Sequence, residues 1–264
     1  MDYSDTGIGP VLVFVHGVYV GGTVWSDTIK HLSGFRCIAP TLPLGAHRTP
    51  SNGADISTRA TIERILELLV ALDLHDVTLV GNDTGGGLCL AALGSSHPGL
   101  SRVARLVLTN CDSYEHFPPA GFAKITQMCA KRPRVGGIIL KFLASKRGRK
   151  FFLKSVCANP PAEPLATDLF ENFGGSKAIN KDAVAVSAAV EPSVTLETAH
   201  AIPSFDRPVL LAWGDSDELF PVSHAERLAA DFPRANVRLF QGAKAYVMID
   251  RPAELAAAIT EFVR

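Results

Sequence analysis

The amino-acid sequence predicts an α/β protein, in which a mostly parallel β-sheet is flanked by helices and a helical segment is inserted between two strands. Short apolar runs such as VLVFV at 11–15 alternate with stretches whose apolar residues recur every three or four positions. This alternation is typical of β-α-β units, whose parallel strands are covered on both faces and are therefore apolar throughout. It stops between Ser113 and Pro203, where no strand is evident and Pro and Gly interrupt helical patterns.

Each predicted element follows from one of these two patterns. Apolar runs bounded by turn residues predict six strands, at 11–15, 36–39, 77–81, 105–110, 208–213 and 236–240. Helical periodicity predicts four helices around the sheet, at 57–72, 85–93, 223–231 and 253–263. The sequence therefore predicts a core formed by residues 1–112 and 204–264, with residues 113–203 forming a helical cap or lid.

The predicted cap has an uneven charge distribution. Ten basic residues and no acidic residue lie between positions 124 and 154: Lys124, Lys131, Arg132, Arg134, Lys141, Lys146, Arg147, Arg149, Lys150 and Lys154. One interpretation is a solvated helix face balanced by acids elsewhere. The other is a docking patch for an anionic carrier, a coenzyme A tail or an acidic substrate, with a membrane surface as the less favoured partner.

Composition limits the class of partner. The 264 residues carry 26 basic and 26 acidic side chains, so the formal net charge is zero and no nucleic-acid or membrane partner is expected for the chain as a whole. The five cysteines have no metal-ligand spacing, and the first ten residues lack a basic and apolar leader pattern. We therefore expect a cytoplasmic protein that acts on a small molecule without a cofactor.

The segment VTLVGNDTGGG has the strongest chemical pattern in the sequence. A predicted strand ends at Gly81, and a helix is predicted to begin near Gly85, with Asp83 between these two glycines. Gly-x-nucleophile-x-Gly at a strand-to-helix junction is a nucleophile elbow, a turn so tight that only small residues fit on either side of the reactive one. The alternative is an aspartate that caps a helix in an unrelated nucleotide-binding fold, but the glycine spacing does not match a dinucleotide loop.

On these residues the chain resembles the α/β-hydrolase superfamily over essentially its whole length. Because the elbow carries an aspartate, the resemblance is to the branch that contains haloalkane dehalogenases and epoxide hydrolases, in which a carboxylate attacks carbon. The resemblance implies that Asp83 is the nucleophile and that the backbone N–H groups of Val18 and Thr84 form the oxyanion hole. It also implies that His16, in the segment VFVHGVYVGGTVW, orients the oxyanion loop, and that Tyr19 and Trp25 line or support the pocket.

Two aspartates are candidates for the acid of this site. The superfamily places an acid in Gly-x-x-Asp-x-x-x-Pro after a late strand, and Gly214, Asp217 and Pro221 match that spacing. Asp112 follows the preceding strand and is the alternative. We favour Asp217 as the acid, and we expect Asp112 and the nearby His116 to face the substrate pocket.

The catalytic base is missing from the pattern. Proteins that this chain resembles have Gly-x-Gly-His-Phe in the last catalytic loop, followed by an acidic residue and Pro. Here Gly242, Asp250 and Pro252 keep that frame, and Ala245 stands at the histidine position. Either the alanine replaces a histidine that the natural protein has, or the natural protein no longer hydrolyses an ester.

Three functions follow from this combination of residues. The first is a hydrolase for an ester, epoxide or carbon–halogen bond, impaired because water attack on the covalent intermediate needs a base. The second is a non-hydrolytic cyclase, lyase or isomerase in which Asp83 acts as acid or base. The third is a ligand-binding receptor. Thr84 stands where dehalogenases have a halide-binding Trp, and Tyr19 stands where epoxide hydrolases have Pro, so no single chemistry follows from the resemblance.

Overall fold

The computed structural model describes residues 1–264 and contains one seven-stranded sheet. The strand order is β1-β3-β2-β4-β5-β6-β7; β1 runs antiparallel to β3 and every other neighbouring pair is parallel. The strands are β1 (Tyr3–Thr6), β2 (Val11–Val15), β3 (Arg36–Pro40), β4 (Val77–Asp83), β5 (Val103–Cys111), β6 (Val209–Gly214) and β7 (Ala235–Phe240). This arrangement confirms the predicted α/β class and mostly parallel sheet.

Helices cover both faces of the sheet, and their burial explains the apolar character of the central strands. All seven residues of β4 are buried, as are all six of β6, because these strands lie in the middle of the sheet. Ser57 caps the longest flanking helix by accepting a hydrogen bond from the Ala60 N–H at 3.2 Å. The helices of the core are α1 (Ser26–Lys30), α2 (Thr58–Ala71), α3 (Thr84–Ala92), α10 (Val222–Asp231), α11 (Val247–Asp250) and α12 (Pro252–Val263).

The six predicted strands and four predicted flanking helices are all present, with ends that differ by one or two residues. The sequence did not predict β1, an edge strand whose residues 3–6 are all exposed. It pairs antiparallel with β3, from Tyr3 opposite Pro40 to Thr6 opposite Cys37. Because its segment YSDT buries no face, it lacks the hydrophobic pattern from which strands are predicted.

The chain between β5 and β6 is entirely helical and turn structure. We call residues 112–208 the helical insertion; it contains α4 (Ala120–Lys131), α5 (Pro133–Leu143), α6 (Lys146–Val156), α7 (Leu165–Asp168), α8 (Lys177–Ala188) and α9 (Pro192–Thr198). Two buried contacts attach α8 to the core. The hydroxyls of Tyr19 and Ser187 are 2.7 Å apart, and the His47 ring lies 3.1 Å from the Asp182 carboxylate.

The topology brings several loops to one edge of the sheet. Strands β2, β4, β5 and β6 are mutually parallel, so the residues that follow each of them lie at the carboxyl edge, which is where open α/β sheets bind ligands. His16, Asp83, Asp112 and Asp217 are all at or just beyond these strand ends. None of the helices is both long enough and apolar enough to cross a lipid bilayer.

Candidate active site

Asp83 lies on a strained turn between β4 and α3. Its backbone has φ 53° and ψ −131°, a conformation that residues other than glycine rarely adopt. The glycines on either side are required by close packing. A Cβ atom at Gly81 would lie 2.7 Å from the Cα of Gly86, and one at Gly85 would lie 2.4 Å from the Val15 carbonyl oxygen. The elbow pattern therefore has a direct steric cause, and it projects one side chain from the sheet edge.

The Asp83 carboxylate lies directly against the loop that follows β2. A Cβ atom at Gly17 would be only 2.2 Å from Asp83 Oδ2, so the carboxylate occupies the space that any other residue at position 17 would need. Burial raises the pKa of Asp83 to about 7; the Thr84 N–H opposes this rise, and the charge of Asp217 adds to it. A carboxyl group with this pKa exchanges its proton near neutral pH.

His16 holds the same loop in place. Its Nε2 accepts a hydrogen bond from the Leu42 N–H at 2.8 Å, which leaves Nδ1 protonated to donate to the Gly17 carbonyl at 2.7 Å. Burial lowers the pKa of His16 to about 4, so the ring is neutral at physiological pH. Both ring nitrogens are engaged with the backbone, and His16 has no free nitrogen with which to accept a proton from water.

Asp217 lies at the end of β6 and is surrounded by donors. Its carboxylate accepts hydrogen bonds from Asn110 Nδ2 at 2.9 Å and from the N–H groups of Leu219 and Phe220 at 3.1 and 3.2 Å. Burial raises the pKa of Asp217 to about 6, against the lowering effect of these donors and of Lys244. Asn110 also donates from Nδ2 to the Gly214 carbonyl at 3.1 Å and accepts at Oδ1 from the Gly214 N–H at 2.7 Å, so this residue fixes the start of the turn after β6.

Asp112, at the end of β5, has a different environment. It is fully buried, and neither carboxyl oxygen has a hydrogen-bond partner. Its backbone N–H donates to the Asp83 carbonyl oxygen at 3.4 Å, and its Cβ would lie 2.9 Å from a Cβ at Gly87. Burial and the charge of Asp83 raise the pKa of Asp112 well above its ordinary value, which favours the neutral acid.

The loop after β7 is held in place although Ala245 supplies no functional group. Ala245 is fully buried, and its carbonyl oxygen accepts a hydrogen bond at 2.8 Å from Nδ2 of Asn82, the residue that precedes the elbow aspartate. The Asp250 carboxylate accepts further hydrogen bonds, both at 2.9 Å, from the N–H groups of Ala158 and Asn159 in the helical insertion. The backbone of this loop is thus tied both to the elbow and to the insertion.

A small apolar cavity lies over Asp83. Its volume is about 30 Å³, enough for only one or two water molecules. The core contributes Val18, Tyr19, Asp83 and Thr84 to its wall, and the insertion contributes mostly apolar residues, with no histidine or lysine among them. The insertion residues are Phe117, Pro118, Pro119, Phe122, Thr126, Phe152, Val156, Ser187 and Val190, and Leu219 completes the wall.

The fold, the elbow and the arrangement of loops agree with the comparison against known families. Residues 10–252 match the family described by the alpha/beta hydrolase fold. The chain belongs to the α/β-hydrolase fold family. The expected α/β-hydrolase fold is therefore confirmed, and hydrolase-named relatives support a hydrolase-fold enzyme.

Individual α/β-hydrolase relatives are distant from this chain. It is 28% identical to haloalkane dehalogenase 2 of Mycobacterium bovis, over 98% of this chain and 90% of that protein. It is 27% identical to a cis-3-alkyl-4-alkyloxetan-2-one decarboxylase of Xanthomonas campestris, over 100% of this chain and 92% of that protein. The crystal structure of an alpha/beta hydrolase fold protein from Burkholderia ambifaria superposes with a TM-score of 0.83 at 19% identity, covering 98% of this chain and 93% of that one.

Three residues expected at the pocket of this α/β-hydrolase do not line the cavity. Trp25 is fully buried in the core, where its ring packs 5.2 Å from that of Phe14. Asp112 packs against Gly87 in the first turn of α3, which covers its side chain. His116 points away from the site and stacks at 4.2 Å on His224, with nearly half of its side chain exposed. Of the four expected pocket residues, only Tyr19 lies in the wall.

The sequence did not predict the residues that the insertion contributes to the cavity. Ser187 holds the Tyr19 hydroxyl and itself donates to the Ala183 carbonyl at 2.6 Å, while Phe173 stacks on the Tyr19 ring at 4.8 Å. Tyr19 has a positive φ of 65°, and this backbone conformation turns its side chain towards the insertion. A serine in a helix of mixed composition carries no local signal of such a contact, because the partner lies 168 residues away in the sequence.

Proposed function

We propose that this α/β-hydrolase uses Asp83 as a nucleophile on a small apolar or carbonyl-bearing substrate, and that it completes the hydrolytic half of the reaction slowly. The observation that carries the proposal is the position of the Asp83 carboxylate. It projects from a strained elbow, touches Gly17 of the loop after β2, and is part of the wall of a small, mostly apolar cavity. A buried carboxylate on a strained turn is costly to maintain, and such features concentrate at reactive sites.

The first step needs only groups that the site contains. An Asp83 oxygen attacks the electrophilic carbon and forms a new C–O bond, and the electron pair of the broken bond leaves with the halide of an alkyl halide or the alcohol oxygen of an activated ester, or stays on the opened epoxide oxygen, which takes a proton from water. The product on Asp83 is an alkyl ester with a halide or an epoxide, and a mixed anhydride with an activated ester. An oxygen that becomes negative in this step would be stabilised by the N–H groups of Val18 and Thr84, the pair proposed as the oxyanion hole. This step needs the ionised carboxylate, so its rate should rise as the pH increases through about 7.

The second step lacks its usual assistance. Water must attack the ester carbonyl and lose a proton, and the site then releases an alcohol or acid and regenerates the Asp83 carboxylate. The position proposed for the base holds Ala245, no histidine lines the cavity, and both nitrogens of His16 are engaged. We infer that the covalent ester accumulates, and that residues 113–203 act as the lid that encloses it.

Intact-mass spectrometry tests this proposal directly. The protein is incubated with alkyl halides, epoxides and activated esters, and any added mass is located by peptide mapping. We expect a stable adduct on Asp83, none on the Asp83→Asn variant, and faster loss of the adduct in an Ala245→His variant whose circular dichroism spectrum matches that of the parent. An adduct on another residue, or none with any reagent class, would contradict nucleophilic attack by Asp83.

A second candidate is proton transfer by Asp83 without a covalent intermediate. The raised pKa of Asp83 favours it, because a carboxyl group with a pKa of about 7 is both an acid and a base at neutral pH. The similarity to a decarboxylase is consistent with a non-hydrolytic reaction on this fold. Product formed without any adduct, at a rate that Asp83→Asn abolishes, would favour this candidate over the first.

A further inference from the structure

The outer face of the helical insertion carries many unpaired cations. None of the ten basic side chains between positions 124 and 154 forms a salt bridge with a carboxylate. On α6, Lys146, Lys150 and Lys154 recur at four-residue intervals and are all exposed, so they form one row along the helix. No carboxylate therefore neutralises these ten side chains through a direct ion pair.

Large apolar side chains stand among these cations. Ile138 is 70% exposed, Phe142 61% and Phe151 71%, whereas most large apolar residues of the chain are buried. Ile138 and Phe142 lie one turn apart on α5, and Phe151 lies beside the lysine row on α6. Two consecutive helices thus each expose large apolar side chains beside basic ones, and we call the exposed residues of α5 and α6 the α5–α6 face.

We propose that the α5–α6 face docks this enzyme on an anionic phospholipid surface. Amphipathic helices that combine exposed bulky apolar residues with lysine and arginine bind at the headgroup–acyl boundary, where the apolar side chains insert and the cations meet lipid phosphates. The sequence alone favoured an anionic carrier over a membrane, because the charges were visible but the exposure of the aromatic side chains was not. That exposure changes the preference to lipid.

A groove beside the α5–α6 face fits a phosphate headgroup. It has a volume of about 380 Å³ and is lined by Lys146, Arg149, Lys150 and Lys154, with Glu163 as its one carboxylate. Arg149 forms no salt bridge with a carboxylate, and its guanidinium carbon lies 5.9 Å from the Phe170 ring centre. An arginine without a carboxylate partner, at a groove with three lysines, is suited to bind a phosphate.

The same helix connects the docking face to the cavity. Phe152 and Val156 on the inner side of α6 line the cavity over Asp83, while Phe151 and Lys154 face outwards. If the proposed function holds, an apolar substrate dissolved in the bilayer would reach the site from the side that touches the lipid. The docking itself does not depend on the reaction, so vesicle binding can be tested on enzyme that turns over no substrate.

The test is co-sedimentation of the full chain with vesicles of pure phosphatidylcholine and of phosphatidylcholine mixed with phosphatidylglycerol. We expect binding to the mixed vesicles that weakens with added salt. Lys150→Gln with Lys154→Gln should weaken it by about five-fold per charge removed, and Phe142→Ser with Phe151→Ser by about ten-fold. Leu239→Ser is the matched control, because Leu239 is 50% exposed on β7, outside the insertion, and its loss should leave binding unchanged.

Four outcomes would overturn the proposal. Equal binding to both vesicle types, or none to either, would exclude an anionic lipid surface. If the Phe142→Ser, Phe151→Ser variant binds the mixed vesicles as tightly as the parent, charge alone is recognised. Tight retention on an immobilised acidic carrier protein, without binding to vesicles, would identify a protein partner in place of lipid. All the substituted side chains are exposed, so unchanged circular dichroism spectra and melting temperatures are expected for every variant.

Discussion

The buried Asp83 carboxyl should make the protein less stable as the pH rises, and Asp83→Asn should remove this effect. The pKa of Asp83 is raised from 3.8 to about 7, mainly by burial. A carboxyl group that holds its proton more tightly in the folded state contributes stability that is fully present below about pH 4, declines as the pH rises, and is lost once the pH passes about 7. The difference between the two pKa values corresponds to about 4 kcal/mol.

Asparagine is a close match for the folded-state geometry at position 83. It has nearly the shape of aspartate, and it tolerates the positive φ of 53° better than most residues. Above about pH 7 the variant should therefore exceed the parent in free energy of unfolding by up to about 4 kcal/mol, and near pH 4 the two should be nearly equal. Asp112 remains in the variant, but the charge of Asp83 contributes to its raised pKa in the parent, so the difference between the two proteins belongs to this pair of carboxyl groups.

Urea unfolding at a series of pH values measures this difference. Asp206→Asn, at an exposed aspartate in the turn before β6, is the matched control and should change stability little at any pH. A stability difference between parent and Asp83→Asn that does not vary with pH would refute the reasoning, because it would show that the gain comes from packing and not from ionisation. A less stable variant at alkaline pH would refute it as well.

Three further predictions concern the surroundings of the site. Tyr246→Phe removes a buried hydroxyl that has no hydrogen-bond partner, so the free energy of unfolding should rise by about 1 to 3 kcal/mol in urea titrations; a lower value would show that the hydroxyl is satisfied. Gly17→Ala should abolish adduct formation on Asp83 in mass spectra, since its Cβ would lie 2.2 Å from the carboxylate, and undiminished alkylation would disprove that contact. Asn110→Ala removes the side-chain donor to Asp217 and should lower the free energy of unfolding by about 2 kcal/mol or more, measured by thermal unfolding. An unchanged free energy of unfolding would show that the backbone hydrogen bonds of the turn are sufficient to hold it.

The central strands β4 and β6 could be predicted from sequence because burial on both faces favours a run of mostly apolar residues, whereas β7 was predicted from its residues 236–240 although four of its residues are exposed. Strand β4, Val77–Asp83, ends at the elbow, and this end was predictable because Gly81 and Gly85 are required by contacts with neighbouring backbone. The exposed edge strand Tyr3–Thr6 has no run of apolar residues in its sequence. Local signals thus locate buried elements and tight turns, and they fail where an element gains its stability only from a neighbour.

The site was predictable to the same limited extent. The positions of Asp83 at the turn after β4 and of Asp217 in the loop after β6 could be predicted from spacing within a few residues, but the wall of the cavity depends on how the helical insertion lies over the sheet. Nothing near Trp25 in the sequence distinguishes a core ring from a pocket ring, and His116 was expected inward only because it follows a strand. Asn110 had a usable signal, since a lone amide at the end of an apolar strand needs buried partners, here Gly214 and Asp217.

The small volume over Asp83 has a consequence for any measurement of affinity. A space of about 30 Å³ is far smaller than the several hundred cubic ångströms of an ordinary ligand pocket, so under the proposed function a substrate would bind an arrangement in which the insertion lies further from the sheet. The dissociation constant observed in solution then equals the intrinsic constant of the open arrangement divided by its population. Contacts between the insertion and the core that lie outside the cavity wall, such as His47 with Asp182, would then lower apparent affinity without touching the ligand, and loosening them should tighten binding.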